Sequence, residues 1–175
     1  MNRPQGTAAN AMNPTQKTAY AVVIVAIGVA LAPYTSFPIG IAKVNPTQHF
    51  LNVLGAVLLG PGWAVLNAAV VAVIRNALGV GTLLAFPGGM IGALIAGAAY
   101  RWTRRVSMAA AGEIAGTGLI APVVSAALVA PVFMDRAIPV LALLPSFAAS
   151  TLAGSVLAVL FLRLLGRSGM IDLDG

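Results

Sequence analysis

The chain has 175 residues, 59% hydrophobic and 8% charged, with a mean hydropathy of +0.96. An ordinary soluble domain is roughly one quarter charged, so the composition excludes that class and points to an integral membrane protein. The net charge of +6 and pI near 10.9 would suggest nucleic acid in a soluble protein; here the ten basic residues are spread among hydrophobic runs and are read as setting orientation in the lipid bilayer, with no nucleic-acid partner.

Cysteine is absent and histidine occurs once, which removes disulfides, thiolate sites and multi-histidine metal centres. No paired carboxylates, serine triad or GxxxxGK[ST] phosphate loop is present, so neither an enzyme, a metal nor a cofactor is expected, and an ATPase would have to come from another chain. At about 20 residues per crossing, the length allows about five to seven helices in one compact bundle.

Residues 1–16, rich in Pro, Asn, Thr and Ala, read as a disordered tail. A signal peptide is disfavoured because the hydrophobic run after Lys17 lacks a clean small-residue cleavage pattern. The first span is expected from Thr18 to Phe37, with small residues four apart, Ala26 with Ala30 and Gly28 with Ala32, leaving a shallow face for helix contact. Pro33 and Pro38 predict irregular backbone at its far end.

The stretch Gly40–Asn52, GIAKVNPTQHFLN, then interrupts the apolar run with Lys43, Asn45, Thr47, Gln48, His49 and Asn52. Such groups are costly in hydrocarbon unless they face a cavity, water or a partner. A short second span, His49–Leu59, turns at Gly60-Pro61-Gly62 into a third, Trp63–Leu78, the two forming a tight hairpin. Arg75 and Asn76 end the third span, and Gly79–Gly89 reads as a shaped loop presenting Thr82 and Phe86. The fourth span, Gly88–Tyr100 or from Leu84, carries Gly88 and Gly92 at GxxxG spacing and leads to Arg101, Arg104 and Arg105.

The fifth span, Met108–Val132, contains Gly112, Glu113, Gly116 and Thr117; after Asp135 and Arg136 the sixth, Ile138–Leu162, has a narrow face of Ser146, Ser150, Gly154 and Ser155. Arg163 and Arg167 close it, so the six-helix all-α transmembrane domain covers 17–167 and 168–175 is a polar tail. In this arrangement Arg3, Lys17, Arg101, Arg104, Arg105, Arg163 and Arg167 share one side against Lys43, Arg75 and Arg136. The positive-inside rule then puts both termini in the cytoplasm and the polar stretch near the outer face.

Lys43, Asn45, Gln48, His49, Asn52, Arg75, Asn76, Thr82 and Phe86 form the candidate small-molecule site, the alternatives being snorkelling for Lys43, an ion pair for Arg75 and a helix-end role for His49. Glu113, the one acid inside a span, needs a donor or a proton; its expected depth is the inner half, nearer the Arg101–Arg105 cluster, as part of a network with Thr117, a ligand contact or a partner contact. Trp63 and Trp102 read as interfacial anchors.

Four stretches carry a more specific signal: FPIGxxKxxPTQHxxNV from Phe37, LLGP from Leu58, RNxLGxGTLLAFPG from Arg75 and GExxGTG from Gly112. Together they resemble the ThiW family, substrate-binding S components of energy-coupling factor (ECF) vitamin transporters, over about Lys17 to Arg163. The resemblance implies a six-helix capture subunit of a prokaryotic inner membrane. It would bind hydroxyethylthiazole, a thiamine precursor, and work with a membrane scaffold subunit and two ATPase subunits. By the same resemblance Ala26 and Ala30 are the candidate scaffold contacts. Capture of another thiamine-related precursor and action as a stand-alone permease are the alternatives.

Overall fold

The computed structural model describes residues 12–171 and residue 173. Most of the expected disordered tail therefore lies outside the described residues, but its last part does not behave as a tail. Asn13 and Gln16 form a reciprocal capping box, Gln16 N donating to Asn13 Oδ1 (2.8 Å) and Asn13 N to Gln16 Oε1 (3.0 Å), and Pro14 occupies the first helical position. Two otherwise unpaired backbone donors are satisfied in this way, so helix α1 starts at Pro14 and runs to Thr35.

A short antiparallel hairpin follows, β1 (Phe37–Ile39) and β2 (Ala42–Val44), in place of the irregular coil expected there. Gly40, at φ +61°, supplies the left-handed residue its turn needs. The architecture is thus mainly helical with one small sheet.

Helix α2 (Pro46–Leu58) has 13 residues, about 20 Å at 1.5 Å per residue, too short to cross a hydrocarbon core of about 30 Å. It turns at Gly60 (φ +92°) into α3 (Pro61–Ala77). Helix α4 spans Ala85–Thr103, α5 spans Val106–Phe133 and α6 spans Val140–Arg167. By length and composition α1, α5 and α6 are apolar enough to cross a membrane. Their outward side chains, Val22, Val23, Leu128, Val132, Val156 and Leu160 among them, are half or more exposed, as suits a lipid-facing surface.

Glycines set how closely the interior helices approach. A Cβ at Gly112 would lie 2.8 Å from Ile95 O, one at Gly116 2.8 Å from Gly92 Cα, and one at Gly154 2.9 Å from Phe50 N. Thus α5 is pressed on α4 and α6 on the start of α2, backbone against side-chain-free backbone. An alanine cluster, Ala56, Ala64, Ala68, Ala93 and Ala96, closes the junction of α2, α3 and α4.

Candidate functional site

The hairpin and the start of α2 cover one end of the bundle, and of the polar side chains of Gly40–Asn52 those of Asn45, Gln48, His49 and Asn52 are buried beneath it. Asn45 caps α2: its Oδ1 accepts from Gln48 N (3.0 Å), its Nδ2 donates to Ser36 Oγ (2.8 Å), and its backbone N donates to Ser150 Oγ of α6 (2.8 Å). One residue therefore ties α1, α2 and α6 together at the site.

Arg75, in the last turn of α3, is only 3% exposed. Its Nη1 donates to Gln48 Oε1 and its Nη2 to Ser36 Oγ (3.1 Å), leaving Nε without a partner. Among the described residues no carboxylate pairs with it. A buried guanidinium held by neutral oxygens keeps its charge uncompensated and attracts electron-rich groups. The Gln48 amide reaches this position because Gly89 of α4 has no side chain; a Cβ there would collide with Gln48 Nε2.

A second network forms the floor. His49 Nδ1 lies 2.7 Å from Glu113 Oε1, Asn52 Nδ2 donates to the same oxygen (3.0 Å) and to Gly89 O (3.0 Å), and Thr117 Oγ1 is 2.9 Å from Glu113 Oε1 and 2.8 Å from Gly88 O. His49 Nδ1 and the Glu113 carboxyl share this hydrogen bond, and the other ring nitrogen, Nε2, is not used by it. Glu113 is fully buried, and Gly92 makes room for it, because a Cβ there would sit 2.6 Å from Glu113 Oε2.

Thr117 is aimed by a local change of helix type. Gly116–Ile120 and Ser125–Val129 are π-helical turns within α5, and each presents a hydroxyl to a carbonyl near the start of α4, Thr117 to Gly88 O and Ser125 to Leu84 O (2.9 Å). Such wide turns shift the register of side chains on a helix face.

Between the two networks lies a narrow cavity of about 20 Å³, room for one water-sized sphere. Lys43, Asn45, Gln48, His49, Arg75 and Thr82 line it. Lys43 stands exposed at its rim, Nζ 3.4 Å from Gly79 O. Asn52 lies behind the wall, acting through Glu113 and Gly89.

Four sequence expectations change. Asn76 does not line the cavity; its Nδ2 donates to Ala72 O (2.8 Å) and approaches Thr82 O (3.5 Å), holding the following loop. Phe86 is absent from the lining because α4 starts at Ala85: Ala85 and Gly88, three apart, share the cavity face and Phe86 points off it. The aromatic wall is Phe147 of α6, accompanied by Ser146 and Ser150. The signal for the two serines was the small-residue stripe of the sixth span, read in the sequence only as a narrow face, and nothing in the sequence reading singled out Phe147.

Glu113 does form the network with Thr117 that was one of its expected roles. The third change is only that its other partners, His49 and Asn52, tie it to the floor of the cavity and not to the basic cluster. Glu113 stands seven residues from the start of α5, about 10 Å, and Asn52 six residues from the end of α2, about 9 Å, so short α2 brings the two level. Fourth, the two small-residue pairs of α1 separate. Gly28 and Ala32 are buried, Gly28 against Leu51 and Val71, whereas Ala26 and Ala30 face outward.

Comparison with known proteins now bears on this geometry. The model of the thiamine-precursor transporter protein family, ThiW, matches residues 18–168. The chain belongs to the ThiW family. It is accordingly a membrane transport protein and not an enzyme. Among solved structures, the S component of a bacterial ECF transporter shares its fold with a TM-score of 0.73 at 17% identity, over 89% of this chain and 98% of that one. No curated protein matches the sequence.

Proposed function

We propose that this ThiW-family chain is the capture subunit for hydroxyethylthiazole, its six helices forming one membrane-embedded bundle in which short α2 and α3 make a hairpin, with both termini in the cytoplasm. The observation that carries the reading is the cavity between Arg75 and the His49–Glu113 pair, polar on two sides and walled by Phe147 on a third. A thiazole offers a flat apolar ring, a ring nitrogen that accepts and a hydroxyl that both donates and accepts. Phe147 packs on the ring, Arg75 or Lys43 donates to the nitrogen, and Ser150 and His49 Nε2 serve the hydroxyl.

The cavity is too small for that molecule with the hairpin seated, so entry requires β1–β2 and the Gly79–Leu84 loop to lift together, coupled through the Lys43 contact with Gly79. Release inward depends on a scaffold subunit docking on the outward face of α1 at Ala26 and Ala30, and on two ATPase subunits, none of which this chain supplies.

A second reading rests on Arg75. With no carboxylate partner among the described residues and Lys43 at the rim, the site also suits an anionic thiamine-related precursor, such as a phosphate ester of the same alcohol. Titrating the purified chain with hydroxyethylthiazole, its phosphate ester, the pyrimidine precursor and thiamine separates these. Tightest binding of hydroxyethylthiazole supports the first reading, preference for the ester supports the second, and binding of only the pyrimidine precursor or thiamine refutes both. Uptake by the chain reconstituted without scaffold and ATPases would refute the capture-subunit mechanism.

A further inference from the structure

A second cavity, about 370 Å³, opens at the opposite end of the bundle. Lys17 of α1, Arg101 of α4 and Arg104 just after it line the cavity, with buried Ala56, Val57 and Leu59 at its base. Among the described residues none of these three cations is in an ion pair. The start of α3 also faces it at Gly60-Pro61, with no side chain capping that helix, so its positive dipole end adds to the field.

Arg104 has a further peculiarity. It occupies the αL position after α4, φ +57°, its N–H closing on Tyr100 O (2.8 Å), a place where glycine is the unstrained residue. An arginine kept there puts a guanidinium in the cavity at the expense of backbone comfort. The neighbouring Trp102 is 84% exposed and marks the level of the membrane interface.

The geometry points to a binding site for the headgroup of an anionic phospholipid. Lys17, Arg101 and Arg104 hold the phosphodiester, beside the uncapped start of α3. The exposed Trp102 next to Arg101 sets these cations at headgroup level, where a lipid phosphate is the anion at hand. The site shares no lining residue with the substrate cavity, and along α2 its nearest lining residue, Ala56, stands about 10 Å from His49.

The test titrates the purified, delipidated full chain in neutral detergent with phosphatidylglycerol, phosphatidylcholine or inorganic phosphate, reading the thermal midpoint and the lipid retained by native mass spectrometry. Phosphatidylglycerol is expected to raise the midpoint saturably, with one molecule retained per chain, the effect weakening as salt rises. Arg101→Gln and Arg104→Gly should each weaken binding about fivefold, the loss of one interfacial cation. Arg104→Gly also relieves the αL backbone, so its lipid-free midpoint should equal or exceed that of the unaltered chain, which separates lost binding from lost folding. Equal effects of phosphatidylcholine, a full effect of inorganic phosphate, or unchanged binding by both variants would overturn the proposal.

Discussion

Gly92→Ala tests whether the floor of the site is as tightly built as its geometry says. The new Cβ would overlap Thr117 Oγ1 and stand 2.6 Å from Glu113 Oε2 and 2.7 Å from Glu113 Cδ, inside any normal contact distance. Glu113 has nowhere to retreat, being fully buried and held through Oε1 by His49, Asn52 and Thr117. Overpacking of this kind costs about 1–3 kcal/mol, while replacing a helical glycine by alanine contributes at most about 1 kcal/mol in the other direction. The net loss reaches about 2 kcal/mol, a thermal midpoint lower by roughly 4–8 °C for a chain of this size. Gly62→Ala is the matched control, because a Cβ there meets nothing within 4 Å, and its midpoint should hold or rise. Thermal unfolding of both variants in one detergent, with ligand titration alongside, gives the comparison. A Gly92→Ala chain as stable as the unaltered one, with intact ligand affinity, would refute the close fit of Glu113 against α4.

Other substitutions probe the remaining links. Arg75→Ala should weaken ligand binding about tenfold to a hundredfold, the worth of a charged hydrogen bond, and Arg75→Lys should not restore it, since only the planar fork spans Gln48 and Ser36. His49→Ala removes one of the partners of the buried Glu113 carboxyl and should destabilise by about 1–3 kcal/mol; adding Glu113→Gln should recover part of that loss in a double-mutant cycle, and simple additivity would refute their coupling. Ser150→Ala leaves Asn45 N–H without its acceptor and should cost about 1–3 kcal/mol in thermal or denaturant unfolding. Phe147→Ala should abolish measurable ligand binding whereas Phe86→Ala should not, because only Phe147 lines the cavity.

The membrane class, the approximate positions of the helices and the grouping of Lys43, Asn45, Gln48 and His49 were legible in the sequence. Burial in hydrocarbon demands long apolar runs, so any polar cluster stands out against them. Motif resemblance to the ThiW family was legible for the same reason, its residues being the few that break the apolar pattern. Fine boundaries were less so: the Asn13–Gln16 box extends α1 into a segment whose composition looked disordered, because capping depends on two side-chain contacts and not on average polarity.

What only the tertiary structure decided is which distant residues meet. Polarity marked Glu113 as unusual, but its partners His49 and Asn52 come from a helix more than sixty positions earlier, and the shortness of α2 determines their common depth. Phe147 and Ser150 carried no polar or motif signal that distinguished them from packing residues, since a residue becomes cavity wall through the rotation and approach of its whole helix. Hydropathy is a property of each segment alone and can be summed along the chain. A binding site depends on interatomic distances between segments, and those appear only when glycine contacts, caps and π-turns have fixed how the helices are seated against one another.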